Sequence, residues 1–249
     1  MNLRIAHLYP EVMNLYGDKG NLIALQRRCG WRGISCTISA VGLGDPFRPD
    51  LFDLVFIGGG QNHEQDLLQS DLKESKASMI RQAVEEGMVF LCICGGYQMM
   101  GHYFEQQNGE RIPGIGALDL FTIDHPDRLT GDLICKSDEL AEKGLDELLV
   151  GFENHSGRTW LGPSVKPLAT VIIGQGNNGV DQTEGAIYKN VFCTYAHGSF
   201  LPKNPDMTDH LIELAIRRRD ESFPGLQQLD NTFENKARDA IMKSCGIRL

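Results

Sequence analysis

Short apolar runs alternate with amphipathic stretches along the first half of the chain. Strands are predicted at residues 3–9, 34–41, 53–57 and 88–93. The last of these runs is almost wholly apolar, which is typical of a strand buried on both faces of a parallel sheet. Helical periodicity lies between the strands, at about 21–28 and 74–86, with Gly30 and Gly87 as the predicted stops. This strand–helix–strand order predicts a parallel sheet with right-handed crossovers.

The pattern changes in the second half of the chain. Strands dominate from residue 112 to residue 190, and the turns between them are rich in Gly, Pro and Asn. Two helices are predicted after them, at about 204–218 and 228–242, the first opening on an Asn-Pro pair. We therefore predict one α/β domain over residues 1–249, a mostly parallel sheet flanked by helices. Its core is expected at about 3–200 and its C-terminal helices at about 204–243.

Composition narrows the classes of function. The net charge is −9 and no basic stripe stands out, which argues against a nucleic-acid surface. No apolar run reaches the ~18 residues of a membrane span, and no signal peptide is recognised at the N-terminus. Seven cysteines at irregular spacing, without metal-type pairs, favour a reducing cytoplasm and no metal site.

Cys94 is the first candidate for chemistry. It ends the apolar run at 88–93, and Gly95 and Gly96 follow before residues that suit a helix. A thiol between a strand end and a helix start lies on a tight turn, where the free N–H groups of the helix favour its ionised form. This context favours a nucleophile over one more buried cysteine.

Two other strand ends carry candidate residues. Gly58, Gly59 and Gly60 follow the strand at 53–57 and leave backbone N–H groups at the carboxyl edge of the sheet. The loop is either a mobile turn or an oxyanion hole. His197 lies just past an apolar strand that ends near residue 195, where a general base is well placed to take a thiol proton.

The segment Cys94-Gly95-Gly96-Tyr97-Gln98 resembles the nucleophile elbow of class I glutamine amidotransferases, in the form of the cobyric acid synthase branch. The stretches 151–159 and 194–198 are similar to the same branch. The resemblance implies a flavodoxin-like α/β fold, Cys94 as nucleophile and His197 as its catalytic partner. It also implies oxyanion donors at Gly59 or Gly60 together with Gly95.

The resemblance also bears on substrate binding. Arg128 lies in a polar loop at 124–130 and is matched by a glutamine-binding arginine in the amidotransferase subunits that serve cell-wall amidation. A guanidinium fork suits the α-carboxylate of a free amino acid. Gln98, inside the elbow motif, is the second predicted substrate-binding residue. His155 either lines the glutamine pocket or is structural, and we favour the structural role.

The chain departs from the family at the orienting acid. Class members place a Glu two residues after the catalytic histidine, and Ser199 stands there in this chain. Three explanations are open: a Cys–His dyad, a distant acid such as Asp18 or Glu153, or an acid from a partner chain. We expect a dyad.

The expected reaction is hydrolysis of the side-chain amide of L-glutamine, with no cofactor in this chain. The sequence contains no recognisable synthetase segment, so a separate partner is implied, with ATP and magnesium on that subunit. Residues 16–21 and a Gly-Asn-Asn-Gly loop look closest to the glutaminase subunits of lipid II isoglutaminyl synthase, whose partner in a heterodimer is Mur-ligase-like. Alternatives are the glutaminase of a cobyric acid-type amidase, a non-catalytic binding or regulatory protein on this fold, and a cysteine peptidase.

Overall fold

The computed structural model describes residues 1–13, 18–60, 68, 70–72 and 76–247. The strands are β1 (Asn2–Leu8), β2 (Ser35–Val41), β3 (Leu54–Ile57), β4 (Val89–Ile93), β5 (Tyr103–Glu105), β6 (Arg111–Pro113), β7 (Leu120–Lys136), β8 (Leu148–Leu161), β9 (Ala169–Ile173), β10 (Thr183–Glu184), β11 (Ala186–Tyr188) and β12 (Val191–Thr194). The helices are α1 (Lys19–Trp31), α2 (Ala77–Glu85), α3 (Gly95–Met99), α4 (Asp138–Glu142), α5 (Pro205–Arg217) and α6 (Thr232–Ser244). The first two residues of the predicted second helix, 74 and 75, lie outside the described residues.

The first sheet has the strand order β11-β12-β4-β3-β1-β2. All neighbours in it are parallel except the hairpin of β11 and β12. Strands β3, β4 and β12 are buried at every position, as is typical of strands in a parallel sheet. The prediction of a mostly parallel sheet is confirmed for this layer, and its strand β4 leads directly into Cys94.

The second half of the chain forms a sheet of its own, which the sequence pattern did not separate from the first. Its order is β10-β9-β7-β5-β6, with β8 paired to β7. Pairing is antiparallel except between β5 and β7. The long β7–β8 ladder shifts register between Asp124 and Leu129, so the polar loop predicted at 124–130 is an irregular part of a strand.

One helix end and one helix cap differ from the prediction. Helix α1 continues through Gly30, and the left-handed residue that follows its end is Gly33, at φ 69°. Asn204 does precede Pro205 at the start of α5, but its side chain makes no cap. It bonds instead to both backbone groups of Val150, which joins α5 to the second sheet.

One apolar cluster includes residues of both sheets and of α5, with β1, β3 and β4 at its centre. A smaller cluster packs α6 against Ile134 and Val150. Within the described ranges, no helix is both long and apolar enough to cross a membrane.

Two glycines are expected to respond to alanine in opposite directions. Gly30→Ala meets open space inside α1 and should stabilise the protein by about 0.5–1 kcal/mol, because alanine is the better helix former. Gly96→Ala places a Cβ 2.7 Å from the Ile57 carbonyl oxygen and 2.9 Å from that of Gly58, and should destabilise it by about 1–3 kcal/mol. Urea unfolding of both variants measures the difference, and equal effects would contradict the packing described.

Candidate active site

Cys94 lies on a strained turn between β4 and α3. Its backbone has φ 48° and ψ −102°, a region that residues other than glycine seldom adopt. Two backbone bonds hold it there: its N–H donates to the Thr194 carbonyl at 2.9 Å, and its carbonyl accepts from the Gln98 N–H at 2.9 Å. The turn therefore fixes the predicted nucleophile at the carboxyl edge of the first sheet.

Glycines 58–60 pass directly beside this turn. A Cβ on Gly95 would lie 2.7 Å from the Gly60 nitrogen, so the backbones of these two residues touch. The N–H of Gly59, by contrast, donates to Asp18 Oδ2 at 2.7 Å. The prediction of Gly59 as an oxyanion donor is therefore wrong for this structure, since its proton is already used. Gly60 and Gly95 stay the predicted donors.

His197 follows β12, and two backbone hydrogen bonds to Phe152 hold it in place. Its N–H donates to the Phe152 carbonyl at 2.8 Å, and its carbonyl accepts from the Phe152 N–H at 3.3 Å. A Cβ on Gly59 would lie 2.8 Å from His197 Cε1 and 3.7 Å from Cys94 Cβ. The imidazole ring and the Cys94 side chain therefore both lie next to Gly59. The structure thus brings both predicted catalytic side chains to one point.

The orienting acid is Asp18, at the start of α1. Its Oδ1 lies 3.2 Å from His197 Nδ1, and both side chains are almost completely buried. The expectation of a dyad is wrong, because this chain supplies a carboxylate of its own to the imidazole. Glu153, the other distant candidate, instead accepts the N–H groups of Gln175 and Gly176 at 2.7 and 2.9 Å.

The charge on His197 follows from these contacts. Burial alone would lower the pKa of the imidazole, but the hydrogen bonds to Asp18 and Cys94 outweigh it and raise the pKa to about 10. The raised pKa suits a group that takes the thiol proton and must return it to a leaving amine.

Comparison with known proteins agrees with this geometry. The model of the CobB/CobQ-like glutamine amidotransferase domain matches residues 4–205. The chain belongs to this family. The GatD subunit of the lipid II isoglutaminyl synthase (glutamine-hydrolyzing) of Staphylococcus aureus is 38% identical over 240 residues, 96% of this chain and 95% of that protein. Its namesake in Streptococcus pneumoniae is also 38% identical, over 87% of this chain and 82% of that protein.

More distant amidotransferases share the domain or the fold. A cobyric acid synthase of Pelotomaculum thermopropionicum is 32% identical over 78% of this chain but only 37% of that longer protein. PurLQS of Thermotoga maritima superposes with a TM-score of 0.56 at 17% identity, covering 88% of this chain and all of that one. A glutamine amidotransferase of the same organism gives 0.54 at 15% identity, covering 97% and 91%. These structures show the flavodoxin-like fold of class I amidotransferases and no more than the fold.

The predicted substrate-binding residues of this amidotransferase lie in different surroundings. Arg128 is exposed on β7, where its guanidinium donates to the side chain and the carbonyl of Asn154, both at 2.9 Å. Gln98 is buried on α3 and donates to the Tyr195 hydroxyl at 3.1 Å. Contact of either side chain with glutamine stays a prediction.

Sequence reasoning missed a polar network behind the amidotransferase elbow. The Tyr195 hydroxyl meets Thr159 Oγ1 at 2.6 Å, and Thr159 meets Thr122 at 2.7 Å. The Tyr195 ring stacks on that of His155, 3.6 Å between centroids, which agrees with a structural role for that histidine. The one available signal was the position of Tyr195, two residues before His197.

Asp18→Asn is expected to change stability in a pH-dependent way. A pKa raised in the folded state gives His197 a stabilising contribution that is complete below pH 6.5 and is lost as the pH rises toward 10. The variant should therefore be less stable than wild type by about 1–3 kcal/mol at pH 6, and the gap should narrow toward pH 10. Urea unfolding across this range measures it, and a gap that widens with pH would contradict the pairing.

Proposed function

We propose that this amidotransferase is the glutaminase subunit of a lipid II isoglutaminyl synthase, acting in the cytoplasm. It hydrolyses L-glutamine to glutamate and ammonia. A Mur-ligase-like partner, bound as a heterodimer and using ATP and magnesium, takes the ammonia to amidate the D-glutamate of the lipid II stem peptide. The observation that supports the hydrolysis is that Cys94 lies near the buried His197–Asp18 pair and beside Gly60 and Gly95.

The first half of the reaction uses the thiol of Cys94. His197 takes the thiol proton, and the sulfur attacks the side-chain amide carbon of glutamine. The amide oxygen becomes an oxyanion, which the N–H groups of Gly60 and Gly95 stabilise. His197 then donates its proton to the amide nitrogen, the C–N bond breaks, and ammonia leaves a γ-glutamyl thioester on Cys94.

The second half restores the enzyme. Water loses a proton to His197 and attacks the thioester carbon, again forming an oxyanion between the same two N–H groups. The C–S bond breaks, glutamate leaves, and the proton returns to the thiol. Asp18 holds the imidazole in the tautomer and orientation that both steps require.

The choice of acceptor rests on the relatives. Both GatD subunits match along most of their own length, whereas the cobyric acid synthase extends well beyond the shared part. The higher identity to both GatD subunits, 38% against 32% for the cobyric acid synthase, favours cell-wall amidation over a cobyric acid-type amidase. All seven cysteines lie free of disulfides, in keeping with a cytoplasmic subunit.

Cys94→Ala should lower ammonia release from glutamine by about 10⁴-fold or more, because the covalent route is removed. The measurement compares the purified chain alone and with a candidate Mur-ligase-like partner that amidates lipid II. Cys92→Ala, two residues earlier in the buried strand β4, is the matched control and should keep the activity. Equal rates in wild type and Cys94→Ala would remove the nucleophile assignment.

Arg128→Ala should raise the KM for glutamine by about 10- to 100-fold and change kcat by less than about 3-fold, since a charged hydrogen bond to the α-carboxylate is lost. Arg128→Lys should recover part of the affinity. Arg111→Ala is the control, because that arginine is also exposed but pairs with Glu105 on the neighbouring strand. An unchanged KM in Arg128→Ala would show that another group binds the carboxylate.

A further inference from the structure

One buried carboxylate holds all three residues that precede His197. Glu184, 2% exposed, ends β10. Its Oε1 accepts from the Thr194 hydroxyl at 2.5 Å and from the Tyr195 N–H at 2.9 Å. The Thr194 hydroxyl oxygen in turn accepts from the Ala196 N–H at 2.9 Å. Thr194 and Tyr195 are therefore hydrogen-bonded directly to Glu184, and Ala196 is linked to it through the Thr194 hydroxyl.

The residue after Glu184 is tied to the elbow helix. The N–H of Gly185 donates to Asn177 Oδ1, and the Gly185 carbonyl accepts from Asn177 Nδ2, both at 2.9 Å. The same Oδ1 accepts from the Tyr97 hydroxyl at 3.0 Å, and Tyr97 lies on α3, three residues after Cys94. Hydrogen bonds on either side of the Glu184–Gly185 peptide bond thus connect the helix of the nucleophile to the residues before the histidine.

We propose that Glu184 is a positioning residue that sets His197 against Cys94, with Asn177 and Tyr97 linking it to the helix of the nucleophile. We refer to Tyr97, Asn177, Glu184 and Thr194 as the brace. The inference rests on the proposed glutaminase chemistry, and it adds to that chemistry a residue that touches neither the substrate nor the thiol.

The surroundings of Glu184 argue against a role in stability alone. Burial raises the pKa of its carboxyl to about 7, and Oε2 lacks a well-aligned hydrogen-bond partner among the described residues. The side chain also lines a cavity of about 10 Å³ whose other walls are mostly apolar. Burial of the second oxygen among apolar groups is destabilising, whereas the first oxygen is the acceptor of the Tyr195 N–H and the Thr194 hydroxyl. The position keeps the one oxygen that fixes the backbone before His197.

The brace predicts a graded series of variants. Glu184→Ala and Thr194→Val remove the acceptor and the relay hydroxyl, and each should lower kcat for glutamine by about 100-fold with KM nearly unchanged, as a displacement near 1 Å would. Glu184→Gln keeps an oxygen for both donors, and Thr194→Ser keeps the hydroxyl, so each should stay within about 5-fold of wild type. Thr194→Val is nearly isosteric and guards against loss of folding in Glu184→Ala.

A second readout does not depend on activity. NMR titration of the His197 ring in the isolated chain, assigned with His197→Gln, should give a pKa near 10 in wild type, because Asp18 and Cys94 face the ring. In Glu184→Ala and Thr194→Val it should fall toward 6.5 as the ring leaves those partners. The control is Asp53→Asn, which removes another buried carboxylate, paired with Arg4 and Arg219 at the start of β3. It should lower stability and leave the titration unchanged.

The outcomes separate the brace from the proposed function. Lower stability in Glu184→Ala and Thr194→Val, with wild-type kcat and a wild-type His197 titration, would overturn the brace. So would equal losses in Glu184→Gln and Glu184→Ala. A wild-type chain that releases no ammonia with or without a partner would overturn the proposed function, while the titration series would still decide whether Glu184 positions His197.

Discussion

The buried carboxylate of Asp18 is the interaction on which the site depends. One oxygen meets His197 across 179 positions of sequence, and the other accepts the Gly59 N–H. A buried carboxyl without partners would be strongly destabilising, so Asp18 needs the imidazole and a donor from the loop together. The same pair of bonds turns the Gly59 N–H away from the reaction centre. The next N–H along the loop, that of Gly60, stays a predicted donor to a developing oxyanion.

The strained turn at Cys94 depends on how closely segments approach around it. The N–H of Gly96 donates to the Gly58 carbonyl, and a Cβ on Gly96 would lie within 3 Å of the carbonyl oxygens of Ile57 and Gly58. A Cβ on Gly95 would lie 2.7 Å from the Gly60 nitrogen. Each of these glycines lets a neighbouring backbone come within hydrogen-bond range of the turn. The positive φ of Cys94 is stable only because these contacts and the bond to Thr194 determine it together. The fold thus stores strain where the chemistry is proposed.

Local pattern sufficed for the first sheet and for the positions of Cys94 and His197, because fully buried strands are apolar runs and their ends are marked by glycine. It did not separate the second sheet, since alternation along β7 and β8 shows which face is buried but not which strand is the partner. Sequence spacing could not show that Asp18 pairs with His197, because tertiary packing brings the two residues together. A dyad is therefore expected from the sequence instead. Gly59 failed as an oxyanion donor for the same reason: its N–H has a partner that only the fold brings near.

The catalytic residues are held in place by the fold, whereas the predicted substrate-binding residue Arg128 is exposed. Cys94, His197, Asp18 and Glu184 are all buried, and each of the last three is held by bonds from separate segments. Arg128 is exposed and bonded to Asn154, so it must exchange one set of acceptors for another to meet a carboxylate. Rigid groups lower the barrier of the chemical step, whereas a group that rearranges affects mainly the affinity for the substrate. A change of partners by Arg128 would therefore act on binding, whereas the bond between His197 and Asp18 is in place without the substrate.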